Sequence, residues 1–346
     1  MTENPRWKRR PAGSTWGDFG TDDQLGRLNL ITPKKVLEGI AEVKEGRSFC
    51  LSLPLDYPGG SKLNPRRNPP ELKPTIRGGG PNFNYPISRD DPKFTDIVCD
   101  DMVLLTLQYS TQWDTLAHVG QMFDADGDGK PDMVYYNGYR ADEHVIGPRN
   151  WTTGQDQAHQ GAHKLGVENM AVKAIQGRAV MIDLEAHFGR ERKLVDYDTL
   201  MAVLREDKVA VEEGDMVCIR TGFAQMLLEM KRDPDEKKLH GACAVLDGRD
   251  ERLLNWITKS GLASLIADNY AVEAFPSRPC EEDHCAALPL HAHCLFKLGV
   301  NLGELWYLSE LADWLRAHKR SRFLLTAPPL RLPGAVGSPA TPVGTV

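Results

Sequence analysis

The feature that most constrains this chain is a set of short apolar runs, each closing on a polar group and separated by stretches of helical character. Ala179–Leu184 reads AVMIDL, Asp215–Arg220 reads DMVCIR and Leu262–Asp268 reads LASLIAD. Runs this short, bounded by turn residues, suit buried strands. Between and around them, Tyr197–Glu206, Leu253–Lys259 and Leu311–His318 read as helices, and His291–Leu298 as a helix stopped by Gly299. Near the start, Thr32 caps a helix whose first position is Pro33, with Val36, Leu37, Ile40 and Val43 at helical spacing. Phe323–Ala327 is a last strand. The alternation predicts an α/β fold, a mixed sheet core with surrounding helices. Polar groups at the strand ends, Asp183, Arg220 and Asp268, suit a site at one edge of that sheet.

The chain of 346 residues shows no internal repeat, so it is read as one domain over 1–346, with an N-terminal arm at 1–20 and a Pro/Gly-rich tail at 329–346. A net charge of −6 argues against a nucleic-acid surface, and Lys8-Arg9-Arg10 reads as a solvated arm. The absence of a long apolar run predicts no membrane span. Met1–Arg10 lacks the apolar stretch of a signal peptide, and seven cysteines without CxxC spacing read as free thiols of a cytoplasmic protein. Cys280 and Cys285 are read as core or loop thiols. Ser48–Leu55 alternates like a strand, and 58–92 reads as a long surface loop of functional or mobile character. Met102–Tyr109 reads as a strand that delivers the chain into Gln112-Trp113-Asp114.

Two clusters carry chemistry. In Gln108-x-Ser110-Thr111-Gln112-x-Asp114-x-x-x-His118, Asp114 offers a hard anionic oxygen to a cation, and His118 a ligand or a general base. An Asp-x-x-x-His pair alone is more often structural than chemical. Pro289-Leu290-His291-Ala292-His293, with Glu304 beyond Gly299, forms the second cluster. Its two histidines point in different directions on a helix, so at most one is a ligand. Asp124-x-Asp126-x-Asp128-Gly129 begins like a calcium loop, but its twelfth position is Tyr135 where a bidentate Glu belongs, so a hairpin turn is the better reading. His144, His159 and His163 read as solvated loop residues, and His187 and His240 have no nameable partner. Trp16, Trp113 and Tyr136 suit the wall of a planar substrate's pocket, or equally core and arm packing. Arg220 suits a substrate carboxylate or a structural ion pair.

Together the two clusters resemble the cyclase family of kynurenine formamidase-like metal-dependent hydrolases. Thr111, Asp114 and His118 fall in register with the family motif His-x-Gly-Thr-His-x-Asp-x-Pro-x-His, and His291 and Glu304 resemble its later pair. Gly13-Ser14-Thr15-Trp16-Gly17, Tyr136-Asn137-Gly138, Arg220-Thr221-Gly222, Asp268-Asn269 with Glu273, and Gly337-Ser338-Pro339 resemble a longer branch of it. The likeness runs from about residue 12 to 345, and the order of these short motifs is its specific part. Gln108, Gln112 and Leu116 replace two histidines and a proline of the motif.

The resemblance implies a swivelling β/β/α domain, assembled as a homodimer or homotetramer. It implies hydrolysis of a small-molecule amide, cyclic imide, formamide or lactone. With two motif histidines replaced, it implies one divalent ion, Mn²⁺ or Zn²⁺, held by Asp114, His291, Glu304 and the oxygen of Gln112, with His118 as proton carrier. The alternatives are a metal-assisted cyclase, isomerase or dehydratase, and a metal-free ligand-binding relative.

Overall fold

The computed structural model describes residues 4–148 and 160–346. His159 lies outside the described residues. The strands used below are β1 (Ser48–Cys50), β2 (Glu71–Pro74), β3 (Asp101–Leu104), β4 (Gln112–Asp114), β5 (Gln121–Phe123), β6 (Asp132–Val134), β7 (Gln176–Asp183), β8 (Met216–Arg220), β9 (Ser264–Ala267), β10 (Asn301–Glu304), β11 (Arg322–Thr326), β12 (Gly337–Pro339) and β13 (Val343–Thr345). The helices are α1 (Pro33–Ile40), α2 (Tyr197–Glu206), α3 (Glu251–Ser260), α4 (Pro289–His291, widening into a π-turn over Ala292–Leu298) and α5 (Ser309–Ala317).

A nine-stranded mixed sheet runs in the order β1-β13-β11-β7-β8-β9-β10-β4-β12. Its centre, β7 to β10, is parallel, and both flanks are antiparallel. The crossovers carry α2, α3 and α4, as parallel pairing requires. Strands β8 and β9 are buried at every residue, which is why they read as unbroken apolar runs. Thr32 caps α1 through a bond from the Lys35 amide. Gly299, at φ +62°, reverses the chain after α4 and drops it into β10.

Several expectations are corrected. The strand expected over Met102–Tyr109 is only β3, an exposed ribbon with β2, and turns follow it before β4. The loop expected at 58–92 contains β2 and further short strands. The tail is no loose end: β12 and β13 are strands of the main sheet, and Val346 is buried. Their sequence has no strand pattern, and pairing alone makes them strands. Asp183 and Arg220 sit opposite each other in the β7–β8 register and pair with each other. Asp268 accepts the Thr221 and Gly222 amides. These strand-end groups fasten the sheet edge. Cys280 and Cys285, five residues apart with Cα atoms 6.5 Å apart, form a disulfide, so the free-thiol reading holds for neither. The Asp124–Asp128 segment is the turn of the β5–β6 hairpin, with the Asp124 carboxylate accepting the Gly127 and Gly129 amides and paired to Arg9. Among the described residues, no helix is long and apolar enough to cross a membrane.

Candidate metal centre

The site is built on the β4–β10 ladder. Glu304 lies opposite Gln112, and Leu302 opposite Asp114. Alternation along β4 puts Gln112 and Asp114 on one face and Trp113 on the other. Gln112, Asp114 and Glu304 are all buried. The Gln112 Nε2 donates to Asp114 Oδ1 and to Glu304 Oε2, each at 3.1 Å. Thr111 stitches the strand in place, accepting the Leu53 amide and donating to the Leu305 carbonyl.

His291 arrives from the start of α4. Its Nε2 lies 3.3 Å from Glu304 Oε1, and its Nδ1 lies 2.7 Å from Glu273 Oε1. The same Glu273 carboxylate accepts the Leu290 and His291 amides, so one buried acid both caps the helical turn and fixes the imidazole. His293 turns away to Thr258 on α3, with Nε2 2.9 Å from Oγ1. His118, half-buried, stands with Nε2 3.8 Å from Asp114 Oδ1.

Asp114, His291 and Glu304 each offer a ligand atom, all within 4.8 Å of one another. The Asp114 Oδ2 and Gln112 Oε1 atoms are buried without a hydrogen-bond partner among the described residues. A buried carboxylate oxygen left unsatisfied is costly, and a cation at this point satisfies it. The residues therefore fit a divalent ion. Gln112 is the exception: its amide presents nitrogen to the two acids, so in this orientation it braces the ligands instead of joining them.

Electrostatics follow from burial. Desolvation raises the Asp114 carboxyl above the usual range, the negative Glu304 adds to this, and His118 opposes it. Glu304 is also penalised by burial, but the hydrogen bond and charge of His291 outweigh this and bring it below the usual range. Burial would lower His291, yet its bonds to Glu273 and Glu304 prevail and raise it to about 10. A proton and a cation thus compete for Nε2.

Above these residues opens a cavity of about 340 Å³, walled by Tyr109, Tyr270, Phe275 and Leu288 and by the 58–67 segment, with His118, His291 and Glu304 on its floor. Residues 81–274 match the Cyclase family model ("Putative cyclase"). A crystal structure described as that of a novel cyclase is 30% identical, covering 96% of this chain and 97% of its own, with a TM-score of 0.72. The chain belongs to the cyclase family. Isatin hydrolase A from Labrenzia aggregata (13% identity, TM-score 0.53, 90% and 97% of the two chains) has the same fold. So does isatin hydrolase A from Ralstonia solanacearum (14%, 0.53, 90% and 97%). No curated protein matches the chain.

In this cyclase-family chain none of the four residues expected to contact substrate lines the cavity. Trp16 is fully buried, donating to the Phe296 carbonyl and packing edge-on against the Phe296 ring, so the arm docks into the core. Trp113 faces the opposite side of the sheet and packs on Trp306. Tyr136 is buried beside Asp23 and the Thr15 carbonyl. Arg220 is held by Asp183, Glu185 and Asp313. Sequence reasoning named Glu273 only within the resemblance and gave it no role. It missed Arg67 and Tyr270 of the cavity wall. His240, for which no partner was foreseen, hydrogen-bonds the Tyr270 hydroxyl through Nδ1 at 2.7 Å.

Proposed function

We propose that this cyclase-family chain is a hydrolase dependent on one divalent cation, Mn²⁺ or Zn²⁺, acting on the carbonyl–heteroatom bond of a small-molecule amide, cyclic imide or lactone. The observation that carries the reading is the convergence of Asp114, His291 and Glu304 on one point beneath a cavity, with Asp114 Oδ2 unpartnered there. Two carboxylates and one imidazole are a donor set that either cation accepts. Such an ion, when bound, supplies a water of lowered pKa and polarises a carbonyl.

The chain's own residues do the rest. Asp114, His291 and Glu304 hold the ion, and Glu273 fixes the His291 ring so that Nε2 faces the site. His118, at the cavity floor, takes the proton of the attacking water and returns it to the leaving nitrogen or oxygen. His118 Nε2 lies 3.8 Å from Asp114 Oδ1, which places the imidazole beside the ion-holding acids.

The test is elemental analysis of the purified protein, followed by a screen of lactones, imides and N-acyl aromatics with added Mn²⁺ or Zn²⁺. The reading expects one ion per chain and a product heavier than its substrate by one water. A protein that takes up no ion, or a product of unchanged mass, overturns it.

A further inference from the structure

The cavity above the metal ligands holds a cation that the strand-end reading had looked for in Arg220. Arg67 is half-buried in its wall. Among the described residues its guanidinium makes a single hydrogen bond, from Nη1 to the Gln108 carbonyl at 2.7 Å, and has no carboxylate within ion-pair distance. The neighbouring charges are accounted for otherwise. Lys62 is paired with Asp233, while Arg66 and Glu236 are exposed. Asp114 and Glu304, once they hold a divalent ion, are neutralised by it. That leaves Arg67, among the described residues, as the half-buried cation of the cavity with no carboxylate in ion-pair contact, Lys62, Arg66 and Glu236 being exposed at its rim.

The segment that carries Arg67 is fixed. The Tyr109 hydroxyl accepts the Gly59 amide at 3.0 Å and donates to the Gly60 carbonyl at 2.8 Å. The Asn68 amide donates to Thr106 Oγ1 at 3.1 Å. Gly59 sits at φ +96° with any added Cβ falling 2.2 Å from the Arg232 carbonyl oxygen, so the turn admits only glycine. A guanidinium anchored through one N–H on a fixed loop keeps its remaining donors in a planar fork, the geometry that takes a carboxylate through two parallel bonds. Tyr109, Tyr270, Phe275, Leu63 and Leu288 give the same wall an aromatic and aliphatic part suited to a ring.

We propose that Arg67 is the anion-binding residue of this cavity, and that the substrate is a small aromatic or cyclic monoanion whose carboxylate pairs with Arg67 while its scissile carbonyl lies over Asp114, His291 and Glu304. This deepens, and rests on, the metal-hydrolase reading above.

The test uses benzoate and its neutral isostere benzamide as probes, titrated calorimetrically into Mn²⁺-loaded wild-type, Arg67→Gln and Arg67→Lys proteins. Wild type binds benzoate and prefers it to benzamide. Arg67→Gln weakens benzoate by about 10- to 100-fold and Arg67→Lys by less, since the charge stays but the fork is gone. Benzamide binding is the same in all three, and ion content is unchanged. Benzoate bound equally by wild type and both variants, or benzamide bound as tightly as benzoate by wild type, overturns the proposal. If Arg67→Gln fails to fold, the Arg67→Lys comparison decides it. A wild-type protein that takes up no ion but loses benzoate on Arg67→Gln sinks the hydrolase reading while upholding the anion site, so the two failures are distinct.

Discussion

Gln112 and Glu304 face each other across the β4–β10 ladder, and the amide nitrogen of Gln112 lies 3.1 Å from a carboxylate oxygen of Glu304 and from one of Asp114. The amide therefore screens two buried acids from each other. Replacing it with leucine leaves both acceptors short of a donor, which costs the ion-free protein about 1–3 kcal/mol. A cation restores what the amide supplied, because ligands that bind only the folded state stabilise it. Thermal melts of wild type and Gln112→Leu, with and without excess Mn²⁺, should show a gap that narrows when the ion is added. An equal gap in both conditions would mean that Gln112 does not act through the acids.

Glu273 touches the ion site only through His291. Glu273→Gln keeps the size of the side chain but weakens the grip on Nδ1 and on two backbone amides. Loss of such an outer partner lowers metal affinity about 10- to 100-fold. Competition with a chelator reads this directly, and an affinity equal to wild type would remove Glu273 from the site.

His118 lines the cavity yet is only half-buried, and its contact to Asp114 is long at 3.8 Å. His118→Ala should therefore leave one ion per chain while lowering turnover by about 10²- to 10⁴-fold, the usual worth of a proton carrier. Loss of the ion along with turnover would make His118 a ligand instead.

Burial holds His293 neutral, its pKa lowered to about 4, with the Lys297 charge acting in the same direction. In the unfolded chain a histidine titrates near 6.5. Between those values the unfolded chain takes up a proton that the folded one refuses. Stability from this residue is thus complete above about pH 6.5 and falls as pH drops towards 4, by at most about 3 kcal/mol. Urea unfolding at pH 7 and pH 5 should show a smaller acid penalty in His293→Gln than in wild type. Identical penalties would locate the acid sensitivity elsewhere.

The convergence of Asp114, His291 and Glu304 was legible because acids and histidines at set spacings, in a known motif order, are rare in an otherwise ordinary globular sequence. The central strands were legible because burial on both faces writes itself as an apolar run. The cavity wall was not. Arg67 sits among prolines, asparagines and other basic residues with no periodicity, and only a fixed turn around Gly59 gives it a direction. Between the pocket and core readings of Trp113 the structure shows the core one, because Gln112 and Asp114 point the other way, a parity that shows only once the register of β4 is known. For Arg220 the structure shows the ion-pair alternative, with its three acidic partners, Asp183, Glu185 and Asp313, coming from other elements that the sequence could not place beside it.

Gly337–Pro339 pairs residue for residue with Gln112–Asp114, and Val343–Thr345 pairs with both Ser48–Cys50 and Arg322–Thr326. The strand bearing Asp114 is therefore flanked on one side by a segment that lies far along the chain from it. Cutting the chain before Gly337 therefore takes away the backbone neighbour of the strand that carries Asp114.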